Sequence, residues 1–199
     1  QFPHFDGLNL TYEVGQGLAK HQTLYDQRTK KIMGKTLEAQ VVDLADEIAY
    51  HNHDLDDGLR SALFSLKELQ GLALWREALG AVHKKYGKKL DAIVLRHRVV
   101  SALISSMIQD VLETAQKNLR RAKIRNLTDV LKCKKNLIGF STGFEKKTMQ
   151  LRKFLWERMY QSPQVLKHSR RGQRILKNLF WRLYKEPKLM PKRFCERIG

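Results

Sequence analysis

Seven carboxylates stand between positions 38 and 57 (Glu38, Asp43, Asp46, Glu47, Asp54, Asp56 and Asp57) with no Lys or Arg among them. Read as a helix advancing about 100° per residue, with Asp46 taken as zero, the segment puts His53 and Asp57 within about 20° of Asp46. Tyr50 follows at about 40°, Asp43 at about 60° and Asp54 at about 80°. Leu37, Val41, Leu44, Ile48, Leu55 and Leu59 cluster within about 40° of the opposite pole and predict a core-facing stripe. One face thus gathers acids, an imidazole and a phenol. Carboxylates this close raise one another's pKa unless a proton or cation sits between them, so the pattern suits a divalent metal. A solvated acidic surface has the same letters, but it would carry basic partners at i±4, and Val42 and Ala49 interleave the acids here.

Other candidate chemistry is weaker. Gly34-Lys35-Thr36 ends like a phosphate-binding loop, but Thr29 stands where that loop needs its first glycine and no apolar strand precedes it. His51 and His53 of His51-Asn52-His53 point about 200° apart on a helix, so they cannot share a ligand. His51 lies on the apolar side and reads as a core histidine, whereas His53 is open between surface residue and ligand. Cys133 and Cys195 stand 62 positions apart without Cys-x-x-Cys spacing and read as reduced thiols.

The elements that must position the acidic face are helices. Apolar residues recur at helical spacing and only four prolines occur (Pro3, Pro163, Pro187, Pro191). The pattern predicts an all-α fold of seven or eight helices. A short one covers Leu10 to Lys20, and Thr36 caps the acidic helix from Leu37 to about Gly58. Ser65-x-x-Glu68 is a capping-box pattern. Leu72 to Tyr86 is a helix ended by Gly87. Asp91 to about Leu119 is a long helix whose apolar residues (Ile93, Val94, Val100, Leu103, Ile104, Met107, Val111) predict a central place in the core. Periodicity lapses from Asn126 to Gly143, where loops and one short strand pair are expected. Helices resume over Phe144 to Tyr160, and over about Arg170 to Lys185 with Ile175, Leu176, Leu179, Phe180 and Leu183 inside.

The 199 residues can bury a real core, and no uncharged apolar window of 18 residues is present, so a membrane span is not expected and a cytoplasmic protein is. The charge is +18, but residues 1–116 hold 14 basic and 15 acidic side chains against 24 and 5 in residues 117–199. Such a basic half fits a polyanionic partner. A division into 1–119 and 120–199, with a weak boundary, follows that asymmetry.

The run Leu37-Glu38-Ala39-Gln40-Val41-Val42-Asp43-Leu44-Ala45-Asp46-Glu47-Ile48-Ala49-Tyr50, continued by His53-Asp54-Leu55-Asp56-Asp57-Gly58-Leu59, resembles the deoxyguanosine triphosphate triphosphohydrolase family and its dGTPase-like members, within the His-Asp (HD) superfamily of metal-dependent phosphohydrolases. Asp6-Gly7-Leu8-Asn9-Leu10-Thr11 resembles the same family, as do, more weakly, Phe154 to Tyr160 and Leu179 to Pro191. The resemblance implies an all-α HD-type fold and hydrolysis of a deoxynucleoside triphosphate to deoxynucleoside and tripolyphosphate, with Mg²⁺ or Mn²⁺ as cofactor and a homo-oligomeric assembly. It makes Asp46 a metal ligand, Tyr50 the residue packed against the sugar and Asp54 the acid on its 3′-hydroxyl. Lys30, Lys31 and Lys35 are candidate phosphate contacts by proximity. No His-Asp doublet precedes Asp46, and His53-Asp54 follows it in the sugar-contact position. The resemblance therefore implies that this is the C-terminal part of a longer enzyme, that the histidine ligands and catalytic acid and base lie upstream of residue 1, and that the chain alone is inactive. Two other readings stand beside it: a non-catalytic basic helical module for single-stranded nucleic acid, and a regulatory or assembly remnant of such an enzyme.

Overall fold

In a computed structural model of the chain, residues 4, 7–19 and 34–196 are described. Among them every regular element is helical, in agreement with the all-α reading, and the strand pair expected between Asn126 and Gly143 is absent. Its place is taken by a short helix, α6 (Leu127–Lys132), preceded by α1 (Tyr12–Ala19), α2 (Leu37–Arg60), α3 (Leu66–Leu69), α4 (Ala73–Tyr86) and α5 (Ala92–Arg121). The Asn126 side chain accepts from the Asp129 amide at 3.0 Å and starts α6, a local capping bond that outweighs the missing periodicity. α7 (Thr142–Leu155) follows.

Helix ends obey local chemistry. Thr36 Oγ1 accepts from the Ala39 amide, Asp91 Oδ1 accepts from the Ile93 and Val94 amides, and Glu68 accepts from both the amide and the hydroxyl of Ser65. Gly87, at φ +83°, stops α4 in the left-handed region open to glycine.

Two compact units result, residues 1–155 and 156–199; the division expected at 119/120 would fall within α5. In the first unit α5 returns along α4, α2 packs across α5, and α7 packs on α2 and α4. Leu55, Leu69, Trp75, Val99, Leu103 and Met107 are among its deepest apolar residues, with Leu151 and Leu155 of α7. α5 is central on this face only: Ile93 and Val94, expected in the core, are 60% and 43% exposed. Ile93 instead lines an open cleft with Leu59, Leu63 and Phe64.

The second unit begins with a π-helical turn (Trp156–Tyr160) and consists mainly of α8 (Pro163–Lys185), followed by α9 (Lys192–Cys195). Ser162 caps α8 with Pro163 in its first turn, so the helix starts seven residues before the predicted Arg170. Ile175, Leu176, Leu179 and Phe180, predicted to lie inside, are exposed.

Candidate functional site

α2 carries the site, and tertiary contacts sort its carboxylates. Asp43 is ion-paired with Lys35, from the segment leading into the helix. Glu47 is ion-paired with Arg152 of α7, whose second terminal nitrogen lies 3.1 Å from Glu145. Asp56 Oδ1 lies 2.8 Å from Arg96 Nε of α5. These three acids point to the flanks of the helix, at about +60°, +100° and −80° from Asp46. Between the flanks lies the outward face, with Asp46, Tyr50, His53 and Asp57 exposed and Asp54 half-buried. Asp57 is within 4.0 Å of Arg60, an exposed pair worth little. No ion pair to Asp46 occurs among the described residues.

The opposite side is anchored as the spacing predicts at Ile48 and Leu55, which are buried, with Leu37, Leu44 and Leu59 half-buried. Val41 departs from that stripe and is exposed, and polar anchors add to the hold on this side of the helix. Gln40 is 4% exposed: its side-chain oxygen accepts from the amides of Leu137 and Ile138 at 2.7 and 3.1 Å, and its nitrogen donates to the Lys35 carbonyl at 3.0 Å. Asn52 donates to the Ile48 carbonyl at 2.7 Å and to Met107 Sδ at 3.2 Å. His51 is buried, as its place on the wheel predicts, and desolvation lowers its pKa to about 4, so it is neutral.

On the outward face, burial, helped by the Asp57 charge and opposed by His53, raises the Asp54 pKa to about 6. At neutral pH Asp54 is ionised and accepts hydrogen bonds, and a modest change of environment can protonate it. Toward the start of the helix the same face borders a largely apolar cleft of about 480 Å³ lined by Val14, Gly17 and Leu18 of α1, Ala39, Val42 and Asp43 of α2, and Leu127.

The expected site residues distribute unevenly. Asp46, Tyr50 and Asp54 share the outward face. Lys35 is close to the helix, but its ammonium is held by Asp43 and its side chain is 9% exposed. Lys30 and Lys31 lie outside the described residues, as does Asp6. No group of three or more His, Cys, Asp or Glu side chains among the described residues could hold a metal ion. Asp46 therefore offers one carboxylate, and the described residues do not hold a divalent cation by themselves. Sequence reasoning missed Arg96 and Arg152, which lie 40 and 105 positions from their acids. It also missed an exposed aromatic cluster on α8: Phe180, Trp181 and Tyr184, with ring centroids 5.5–6.1 Å apart. A Phe-Trp-x-x-Tyr run inside a basic helix was its signal. No helix among the described residues is long and apolar enough to cross a membrane.

Comparison with known proteins agrees with the motif on α2. Residues 138–199 match the model of the phosphohydrolase-associated domain. Deoxyguanosinetriphosphate triphosphohydrolase-like proteins of Geobacter sulfurreducens and Geobacter metallireducens are 35% and 34% identical to the chain over its whole length, and 53% of each is covered. The protein of that name from Parvibaculum lavamentivorans is 35% identical over 94% of the chain and 52% of its own length. The chain spans about half the length of the curated relatives it matches. With relatives of one name along its full extent, the chain belongs to the deoxyguanosinetriphosphate triphosphohydrolase-like family.

Proposed function

We propose that the chain supplies the Asp46 helix to a metal-dependent enzyme that hydrolyses a deoxynucleoside triphosphate to deoxynucleoside and tripolyphosphate. The observation that carries this reading is the outward face of α2, where Asp46, Tyr50 and Asp54 stand together while the flanking acids are neutralised by Lys35, Arg96 and Arg152. Such sorting leaves a compact set of groups suited to a sugar and a cation. A family of triphosphohydrolase-like proteins supports it independently.

In this reading Tyr50 packs its ring on the deoxyribose and Asp54, ionised at neutral pH, accepts from the 3′-hydroxyl. Asp46 gives one ligand to Mg²⁺ or Mn²⁺, which when bound polarises phosphate oxygens and lowers the pKa of water. The remaining ligands and the acid and base come from outside the described residues. Lys30, Lys31 and Lys35 contact the phosphates, Lys35 by exchanging Asp43 for a phosphate oxygen. The enzyme acts as a cytoplasmic homo-oligomer. The test is incubation of the full gene product with dGTP and Mg²⁺ or Mn²⁺: release of tripolyphosphate, abolished by Asp46→Asn, is expected, and release of single phosphates only would refute the reaction.

One observation favours a second reading. α8 carries seven Lys or Arg and no acid beside its aromatic cluster, a composition suited to single-stranded nucleic acid. Retention on single-stranded DNA that falls steeply with salt would support it, and no retention at low salt would remove it.

A further inference from the structure

Hydrophobic contact is non-directional, so an apolar stripe can hold a helix against a core without fixing its rotation. On α2 that stripe is thin, with only Ile48 and Leu55 fully buried at the pole opposite Asp46. A rotation of about 20° would swing a group about 5–6 Å from the helix axis by about 2 Å, enough to misaim Asp46, Tyr50 and Asp54. Gln40, bonded to Leu137, Ile138 and Lys35, resists it near the start of the helix, and Asn52, bonded to Met107, resists it on the buried side; the two flanks need holds of their own.

We infer that Arg152 and Arg96 are positioning residues that grip α2 from opposite flanks and set its rotation about its own axis. Arg152 reaches from α7 to Glu47, next to Asp46 in the chain, on the flank at about +100°. Arg96 reaches from α5 to Asp56 on the flank at about −80°. Turning the helix either way pulls one acid from its guanidinium and drives the other into it.

Each clamp is held in place. The Arg152 fork is shared between Glu47 and Glu145. Arg96 Nη2 lies 3.3 Å from His97 Nε2. All four paired side chains are 17–24% exposed, so they are little screened by water. The Arg152 guanidinium, a rigid planar donor bonded to both Glu47 and Glu145, constrains orientation, whereas Arg96 Nε and Asp56 Oδ1, 2.8 Å apart without hydrogen-bond geometry, hold distance and charge. Partly buried ion pairs contribute little net stability against neutral isosteres, because desolvation cancels the attraction. These two pairs are therefore expected to matter for geometry more than for melting temperature.

The consequence for chemistry rests on the function proposed above; the clamp itself can be tested without it. Spin labels are placed on α2 at H53C and on α5 at K117C, with C133S and C195S, and the label-to-label distance is measured by pulsed electron resonance. The neutral-pair variant E47Q/R152M/D56N/R96M is expected to shift or broaden the distance distribution by about 2 Å or more while helicity is kept. Each pair replaced alone gives a smaller change. R152K and R96K, which keep charge and are least disruptive to folding, broaden the distribution less than the neutral pairs. Unchanged distributions in the neutral-pair variants, or in the lysine variants should the neutral ones fail to fold, overturn the inference. A normal clamp in a gene product that releases no tripolyphosphate would refute the proposed function and leave the clamp standing.

Discussion

Gln40 closes three hydrogen bonds at once, and removing them has a calculable cost. In Gln40→Ala the Leu137 and Ile138 amides and the Lys35 carbonyl all lose their side-chain partner. A buried polar group left unpaired costs about 1–3 kcal/mol. Leu137 is fully buried, whereas Ile138 and Lys35 are half-buried and can recruit water, so the sum is about 3–4 kcal/mol. For a unit of this size that lowers Tm by roughly 6–16 °C. Gln40→Leu separates hydrogen bonding from packing, since it keeps side-chain volume and apolar contact. If packing dominates, Leu is neutral or stabilising; if the amide clamp dominates, Leu costs nearly as much as Ala. Gln40→Glu keeps the acceptor for both amides but sets a carboxylate against the Lys35 carbonyl, and should fall between wild type and Ala. Urea unfolding followed by circular dichroism gives the free energies, and amide hydrogen exchange at Leu137 and Ile138 reports the bonds directly. A Gln40→Leu protein as stable as wild type, with both amides still protected, would refute the reasoning.

Gly58→Ala should lose about 2 kcal/mol in a thermal melt despite its better helix propensity, because a Cβ there would lie 2.2 Å from the Phe64 ring; pairing it with Phe64→Leu should recover part of the loss. Ala62 sits at φ +52°, so Ala62→Gly should stabilise by about 0.5–1 kcal/mol by the same measurement. His51 has a folded pKa of about 4, below its unfolded value, so the unfolded state binds more protons between about pH 4 and 6.5 and stability falls as pH falls through that window; His51→Gln should flatten that slope in pH-dependent urea unfolding. Asp54 acts oppositely: its pKa of about 6 lies above the unfolded value, so stability falls as pH rises from about 4 to 6, and Asp54→Asn should gain about 1 kcal/mol above pH 6 after allowance for partial exposure, with carbon-13 NMR of the carboxyl reporting the midpoint.

What the sequence made legible follows from the range of each interaction. Thr36, Ser65 with Glu68, and Asp91 act within three residues, so the helix starts they dictate could be read directly. Asn126 acts over the same distance, and the short helix it starts was missed because six residues carry too little periodicity to register. The wheel of α2 placed Asp46, Tyr50 and Asp54 on one side and His51 toward the core, since angular position on a helix needs only its pitch. Periodicity also found the two sides of α8, but it reports segregation along a helix and not what covers the apolar side. Ile175 to Phe180 were therefore assigned to an interior they do not occupy within the described residues.

The ion pairs were illegible for a different reason, and it bears on how the acidic run should be read. No Lys or Arg lies between positions 38 and 57, which argued against a solvated acidic surface and toward a cation-binding one. The structure leaves that argument valid for only part of the run. Asp43, Glu47 and Asp56 do have basic partners: Lys35 in the segment leading into the helix, eight residues back, and Arg152 and Arg96 across the fold at separations of 105 and 40 residues. Glu47 has no Lys or Arg within one turn, and Asp56, although Arg60 stands four residues on, pairs with Arg96 instead, so α2 depends on α7 and α5 where local partners would have neutralised it without orienting it. Supplying the cations from neighbouring helices neutralises the flanks and fixes the direction of the remaining face in the same contacts. The charge presented at Asp46 and Asp54 is thus set by which acids the tertiary structure leaves outward, not by the seven carboxylates counted along the chain.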